Sequence, residues 1–204
     1  MDMRTNKIQS IAIQNDGKII VGWDFTYYQG KATNEIIRLN SDWAIDPNFN
    51  IWDWFNDIIK SIAIQDDGKI IVGGSFRYYN WFLVNNRIVR LNNYWVRDNS
   101  FNTGFNRDVK TIAIQNDGKI FVGWLSSIIK INHNWIIETN IGIGGYAYSI
   151  TTQDDGKIIV GGSFTSYQWV AANRIIRLNP DWSRDTSFNI GDGFNGAVNS
   201  IAIQ

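Results

Sequence analysis

The sequence predicts an all-β fold assembled from repeated antiparallel hairpins, and three observations carry that prediction. The segments IQNDGKIIVGW, IQDDGKIIVGG, IQNDGKIFVGW and TQDDGKIIVGG recur, with their DGK glycines at 17, 68, 118 and 156. Each DG pair separates two short runs rich in β-branched residues, the pattern of a hairpin. No stretch carries the 3.6-residue apolar period of an amphipathic helix.

The repeats divide the chain at about 6–56, 57–106, 107–147 and 148–196, and residues 197–204 open a fifth. In the second repeat, SIAIQ (61–65) and KIIVGGSF (69–76) flank the DG turn, and RIVRLN (87–92) and WVRDNSF (95–101) flank a second turn. Four strands per repeat of this length describe one blade of a β-propeller. A β-solenoid is the competing architecture, but its coils are usually shorter and less hairpin-like. Ile62-Ala63-Ile64 is apolar at consecutive positions, so both faces of that strand should be buried, as when a blade packs between neighbours. The third repeat is shortened, because residues 122–132 stand where the second repeat spends 72–92. The whole chain, 1–204, therefore reads as one propeller region of four four-stranded blades, the third shortened. AVNSIAIQ at 197–204 matches IIKSIAIQ. No blade has a vacancy for it, so the chain reads as a piece of a larger propeller, whose exposed strand edge favours association through the ends or aggregation.

Repeats of the form SIAIQ-x-DGKIIVGG-F…NRIIRLN-x-D-x-S-x-D-x-SF resemble the delta-60 β-propeller repeats, a family of unknown function. The resemblance spans essentially the whole chain and is cleanest over 57–106 and 148–196. It implies the propeller fold and large bacterial surface or secreted proteins, and it supplies no activity.

Composition narrows the function classes. Nineteen basic and nineteen acidic residues cancel, which argues against general binding to nucleic acid or to an anionic membrane surface. There is no cysteine and a single histidine, His133, so little material exists for thiolate or imidazole chemistry. No apolar run is long enough to cross a membrane as a helix, and the first residues lack the apolar core of a signal peptide.

Candidate sites repeat with the blades. Asn15-Asp16-Gly17 and its three counterparts place two side-chain oxygen ligands before a glycine, too few for a Ca²⁺ loop and fully explained by a turn with glycine at positive φ. Arg38, Arg90 and Arg177 each precede an acid by eight residues: Asp46, Asp98 and Asp185. Lys130 and Glu138 hold the same spacing in the third repeat. Both members change there and both charges persist, which points to cross-strand ion pairs rather than catalysis. Tyr27, Tyr28, Tyr78, Tyr79 and Tyr167, near Phe25, Phe76 and Phe164, recur between the hairpins. They suit packing of a loop, or a glycan-binding face. No catalytic, metal-binding or cofactor-binding residue is assigned. The resulting expectation is a non-enzymatic interaction module with a protein or glycan partner and with further blades of its parent chain. A lectin-like propeller is the alternative, and an enzyme working in a central channel comes third.

The ten tryptophans form a separate pattern. Trp23 and Trp124 stand where sister repeats have Gly74 and Gly162. Trp81 and Trp169 match Gly30, Trp52 matches Gly191, and Trp54 matches Gly104 and Gly193. Trp43, Trp95, Trp135 and Trp182 occupy the second hairpin turn, where turn chemistry calls for glycine at positive φ. The sequence thus predicts a left-handed residue at these four positions, with side chains projecting into solvent from the hairpin tips. Glycine and tryptophan are poor physical substitutes, but their codons differ by one base. A UGA codon read as glycine in the source and translated here as tryptophan accounts for all ten.

Overall fold

The computed structural model describes residues 7–23, 27–49, 55–84 and 87–203. All regular structure in these residues is β. The chain divides into two compact units, 1–109 and 110–204, each carrying two repeats.

In the first unit, repeat one contains β1 (Ile8–Ile13), β2 (Ile19–Trp23), β3 (Tyr27–Tyr28), β4 (Lys31–Ala32) and β5 (Ile36–Leu39). Repeat two contains β6 (Ile59–Ile64), β7 (Ile70–Gly74), β8 (Tyr78–Tyr79), β9 (Phe82–Leu83) and β10 (Ile88–Leu91). In the second unit, repeat three contains β11 (Thr111–Ile114), β12 (Ile120–Trp124), β13 (Ser127–Ile131) and β14 (Ile137–Gly142). Repeat four contains β15 (Ala147–Thr152), β16 (Ile158–Gly162), β17 (Ser166–Tyr167), β18 (Val170–Ala171) and β19 (Ile175–Leu178). Each repeat folds as an antiparallel sheet with its second strand in the middle, β1-β2-β5, β6-β7-β10, β15-β16-β19 and β11-β12-β13-β14.

Four full strands were expected in every blade, yet only the shortened repeat has them. In repeats one, two and four the outermost segment is reduced to a single bridge, Leu39 with Ile45, Leu91 with Arg97 and Leu178 with Arg184. Hydrogen bonds inside that segment compete with the ladder. Asp46 Oδ1 accepts from Asn48 N at 2.9 Å, and Asp98 and Asp185 do the same with Ser100 and Ser187. An aspartate that turns the backbone this way bends it out of the strand. In repeat three the residue at this position is Glu138, and β14 runs on to Gly142.

The central strands are buried on both faces, with Ile70, Ile71 and Val72 at 0 % exposure. Within each unit, successive repeats meet across a glycine. A Cβ placed on Gly22 would lie 2.6 Å from Ile59 Cγ2, and one on Gly123 would lie 2.9 Å from Ala147 Cβ. On Gly161 it would lie 2.6 Å from Val198 Cγ1. The following repeat's first strand sits where those side chains would be. A serine closes the contact: Ile62 N donates to Ser10 Oγ at 2.9 Å, and Ile201 N donates to Ser149 Oγ at 3.1 Å. Residues 197–203 occupy the place of a following first strand, but form no strand. Val198 N donates to Gly162 O, while among the described residues 197–203 pair with no further strand, so no ladder defines them.

Replacing Gly22 or Gly161 by valine should destabilise the protein by about 1–3 kcal/mol through overpacking. Gly196, which has open space around it, should accept alanine with little change. Urea melts of the three variants measure this.

Candidate functional site

Both hairpin turns of a blade are built alike. In the first, Gly17 N donates to Gln14 O at 2.9 Å and Gln14 N donates to Lys18 O at 2.8 Å. In the second, Trp43 N donates to Asn40 O at 3.0 Å and Asn40 N donates to Ala44 O at 2.9 Å. The closing residue is left-handed in both, with φ 79° at Gly17 and 67° at Trp43. Trp95, Trp135 and Trp182 follow at φ 64°, 64° and 70°. Only part of the expectation about their side chains stands. Trp43 is 55 % exposed, but Trp95 and Trp182 are 2 % and 7 % exposed. Trp95 packs edge-on against Phe49 at 4.6 Å, with the Arg38 guanidinium 5.7 Å from its ring, and Trp182 packs against Phe121 at 5.5 Å. These turns lie against the preceding repeat, not in open solvent. Trp52 and Trp54 fall outside the described residues, as does Phe25.

The charged residues assemble beside this turn. Arg38 Nε meets Asp46 Oδ2 at 2.7 Å, Arg90 Nη2 meets Asp98 Oδ2 at 2.6 Å, and Arg177 Nε meets Asp185 Oδ2 at 2.7 Å. Lys130 Nζ and Glu138 Oε2 lie 3.4 Å apart. In that repeat a bulge sets Lys130 opposite Thr139 rather than Glu138, which lengthens the pair. Sequence reasoning missed a third member, the DGK lysine. Lys18 Nζ lies 3.5 Å from Asp46 Oδ2, and Lys157 Nζ lies 3.3 Å from Asp185 Oδ2. The signal was present in the lysine that follows every DG pair. Burial raises the Asp46 carboxyl, but the Asn48 N–H and the Arg38 charge outweigh it and hold the group below the usual carboxylate range. At Asp98 burial is likewise outweighed, by the Ser100 hydroxyl and N–H and by Arg90. The Ser187 hydroxyl leads at Asp185, which is also held low.

The tyrosines lie on the small loop hairpins β3–β4, β8–β9 and β17–β18. One tyrosine of each hairpin ties it to the second turn of its own blade. The hydroxyls of Tyr28 and Tyr167 donate to Trp43 O at 3.0 Å and Trp182 O at 2.7 Å, and that of Tyr79 donates to Trp95 O. Tyr79 and Tyr167 are 1 % and 2 % exposed, so neither ring face is offered to a ligand. Phe76 and Phe164 are fully buried beside them. Burial, with the Asp181 charge behind it, pushes the Tyr167 phenol up to about 12. Tyr27 and Tyr78 face outward, together with Trp81, Phe82 and Leu83 in the second repeat and Trp169 and Val170 in the fourth.

A cleft of about 700 Å³ lies between repeats one and two, where the DG turns gather. Gln14, Asp16, Lys18, Arg38, Asp67 and Asn93 line it. Its charges are mutually engaged, Lys18 with Asp16 and Asp46, and Arg38 with Asp46 and with Asn93 O. Among the described residues, no three His, Asp or Glu side chains come together as a metal site. His133 is exposed in the third repeat's second turn.

A family model described as "Domain of unknown function (DUF5122) beta-propeller" matches residues 14–49, 65–101 and 153–188. No curated protein sequence matches the chain. Solved structures share the fold. Virginiamycin B lyase from Staphylococcus aureus is 16% identical with a TM-score of 0.57, over 91% of this chain and 56% of the lyase. The Pan2 WD40 domain of Neurospora crassa is 9% identical with a TM-score of 0.57, over 89% of this chain and 65% of that one. A protein of unknown function from Bacteroides caccae is 19% identical with a TM-score of 0.55, over 86% of this chain and 62% of that one. The chain thus spans a little over half the length of the lyase.

Removing one member of the buried pair, Arg38→Met, should cost about 3 kcal/mol, because Asp46 stays buried with only the Lys18 ammonium at 3.5 Å and the Asn48 N–H to answer its charge. The Lys–Glu combination used by repeat three should cost less at the same place. The depressed carboxylates fix the acid limit. Their stabilisation is complete above the unfolded pKa of about 4 and is lost as pH falls through the lower folded values. The raised Tyr167 acts at the other end, its contribution disappearing as pH rises above about 10. Thermal melts across pH, with and without Asp46→Asn and Tyr167→Phe, measure both limits.

Proposed function

The chain belongs to the DUF5122 β-propeller family, a family of unknown function, and on that premise we propose that it is a non-enzymatic scaffold that presents loops to a macromolecular partner. One observation carries the proposal: the polar groups that chemistry would need recur from blade to blade and are engaged in holding the blades. Asp46, Asp98 and Asp185 each take an arginine and a backbone N–H. The virginiamycin B lyase named above is an enzyme, but at 16% identity its likeness extends to the fold alone. Function is therefore sought in the segments that vary between blades and face solvent.

The small loop hairpins are those segments. Tyr27 is 65 % exposed, Tyr78 40 %, Phe82 64 % and Val170 56 %. Apolar and aromatic tips of this kind, each supported by a tyrosine tied to the second turn, suit a protein or glycan partner. The lectin reading draws on the same hairpins, since Tyr27 and Tyr78 hold the equivalent outward position on β3 and β8 and offer aromatic faces for sugar stacking.

Tyr27→Ser and Tyr78→Ser together should leave stability within about 0.5 kcal/mol, as surface changes do. The same double variant should lose binding on a glycan array if the lectin reading holds. Binding that survives, or no binding by the parent protein, leaves the protein-partner reading. Turnover in a broad hydrolase and lyase screen that the tip variants retain would overturn the scaffold assignment.

A further inference from the structure

We propose that the outer face of β1 is a docking surface for a further repeat of this kind. Ile8, Ile11 and Ile13 are 55 %, 52 % and 69 % exposed, an apolar row on one strand. The counterparts of Ile8 and Ile11 in later repeats are covered, and those of Ile13 are half-buried. Ile59 and Ile62 on β6, and Ala147 and Ile150 on β15, are at most 7 % exposed, because each pair sits on the bare glycine of the preceding repeat. β1 carries the same residues in the same register, Ile8 opposite Trp23 and Ile11 opposite Val21, as Ile59 is opposite Gly74 and Ile62 opposite Val72. The contact this chain makes repeatedly therefore defines the occupant. It presents a second strand with a side-chain-free glycine, to receive Ile8 and Ile11. It also presents a first-strand serine, whose hydroxyl accepts from Ile11 N as Ser10 Oγ accepts from Ile62 N.

A second copy of the chain does not meet this description, because its repeats have their grooves filled from within. Ile59 and Ile62 fill the first, Ala147 and Ile150 the third, and Val198 and Ile201 the fourth. At the second, Val109, itself fully buried, donates its N–H to Gly74 O. The occupant is an additional repeat whose own groove is open.

The test is hydrogen exchange on the full chain extended at its start by a copy of residues 148–196. The proposal expects amides of Ile8–Ile13 to slow to the level of Ile59–Ile64, and a Gly→Val change at the copied Gly161 to abolish that protection. Exchange at Ile8–Ile13 that stays fast, whether the added repeat folds or remains fully exchanging, overturns it. So does protection that survives the valine.

A separate observation carries a second proposal: we infer that the positions occupied here by tryptophan are glycine in the working protein. The two turns of each blade have the same hydrogen-bond closure and the same left-handed closing residue. That residue is glycine at 17, 68, 118 and 156 and tryptophan at 43, 95, 135 and 182. Trp81 and Trp169, at φ 68° and 69°, occupy the slot that Gly30 fills at 76°. At the Trp23 and Trp124 slot, a Cβ on the sister residues Gly74 and Gly162 would strike the carbonyl oxygens of Ile58 and Tyr146. The glycines that match Trp52 and Trp54, at 104, 191 and 193, all have positive φ. Where the indoles are buried their polar edge goes unanswered, since the Nε1 atoms of Trp95 and Trp182 have no hydrogen-bond acceptor. A UGA codon decoded as glycine supplies the substitution at all ten sites.

Peptide mass spectrometry of the protein from its source decides the assignment. Glycine at the ten slots is expected, and tryptophan there overturns it. Recombinant forms give an independent reading: the all-glycine chain should melt at a higher temperature than the tryptophan chain, and an equal or lower midpoint counts against the proposal.

Discussion

The structure depends on close approach at a single glycine in the middle strand of repeats one, three and four. Val-Gly recurs at 21–22, 72–73, 122–123 and 160–161, and a side chain at 22, 123 or 161 would occupy the space held by the next repeat's first strand. The absence of a Cβ lets two sheets meet through isoleucine, valine and alanine, with no intervening layer. Burial of that apolar area is the main favourable contribution. The serine hydroxyl that accepts an outward-facing amide of the next strand satisfies a donor the contact would otherwise bury. Each repeat is thus incomplete without a neighbour, as in other repeat architectures.

Around that contact, the polar residues fix the outer part of each blade. The arginine on the third strand reaches the aspartate beyond the second turn, and the DGK lysine reaches the same carboxylate in repeats one and four. The two hairpin turns and the outermost segment are therefore joined through one acid. A tyrosine of each loop hairpin joins it to the same turn by donating to its carbonyl. The loop tips remain outward, on a support in which most polar groups are already committed. That division between a repeated, engaged frame and variable, exposed tips is what favours a scaffold.

Much of this was legible in the sequence. The DG turns, the two hairpins and the partners of Arg38, Arg90 and Arg177 follow from repeat spacing, because antiparallel register is set by turn length. The outermost strand was overestimated, since the pattern WVRDNSF does not reveal that Asp98 turns the backbone back on Ser100. The ligand-face grouping of five tyrosines did not separate Tyr27 and Tyr78 from Tyr79 and Tyr167. Adjacent residues on a strand face opposite ways, and the short strands β3 and β8 were not anticipated. Trp95 and Trp182 were expected in solvent because a hairpin tip has no core of its own; the preceding repeat supplies Phe49 and Phe121 instead. The glycine groove had a visible signal, a Val-Gly pair in every repeat. Its meaning depends on the neighbouring sheet, which no single repeat displays.

The most direct test of the central claim is a double-mutant cycle at the first groove. Gly22→Ala should destabilise the chain, and Ile59→Ala should do so by removing buried contacts. If the two side chains compete for the same space, the double variant should be more stable than the sum of the single losses requires, by at least about 0.5 kcal/mol of coupling. Strict additivity in urea unfolding would contradict the account, because Gly22 and Ile59 would then not be in contact in the folded protein.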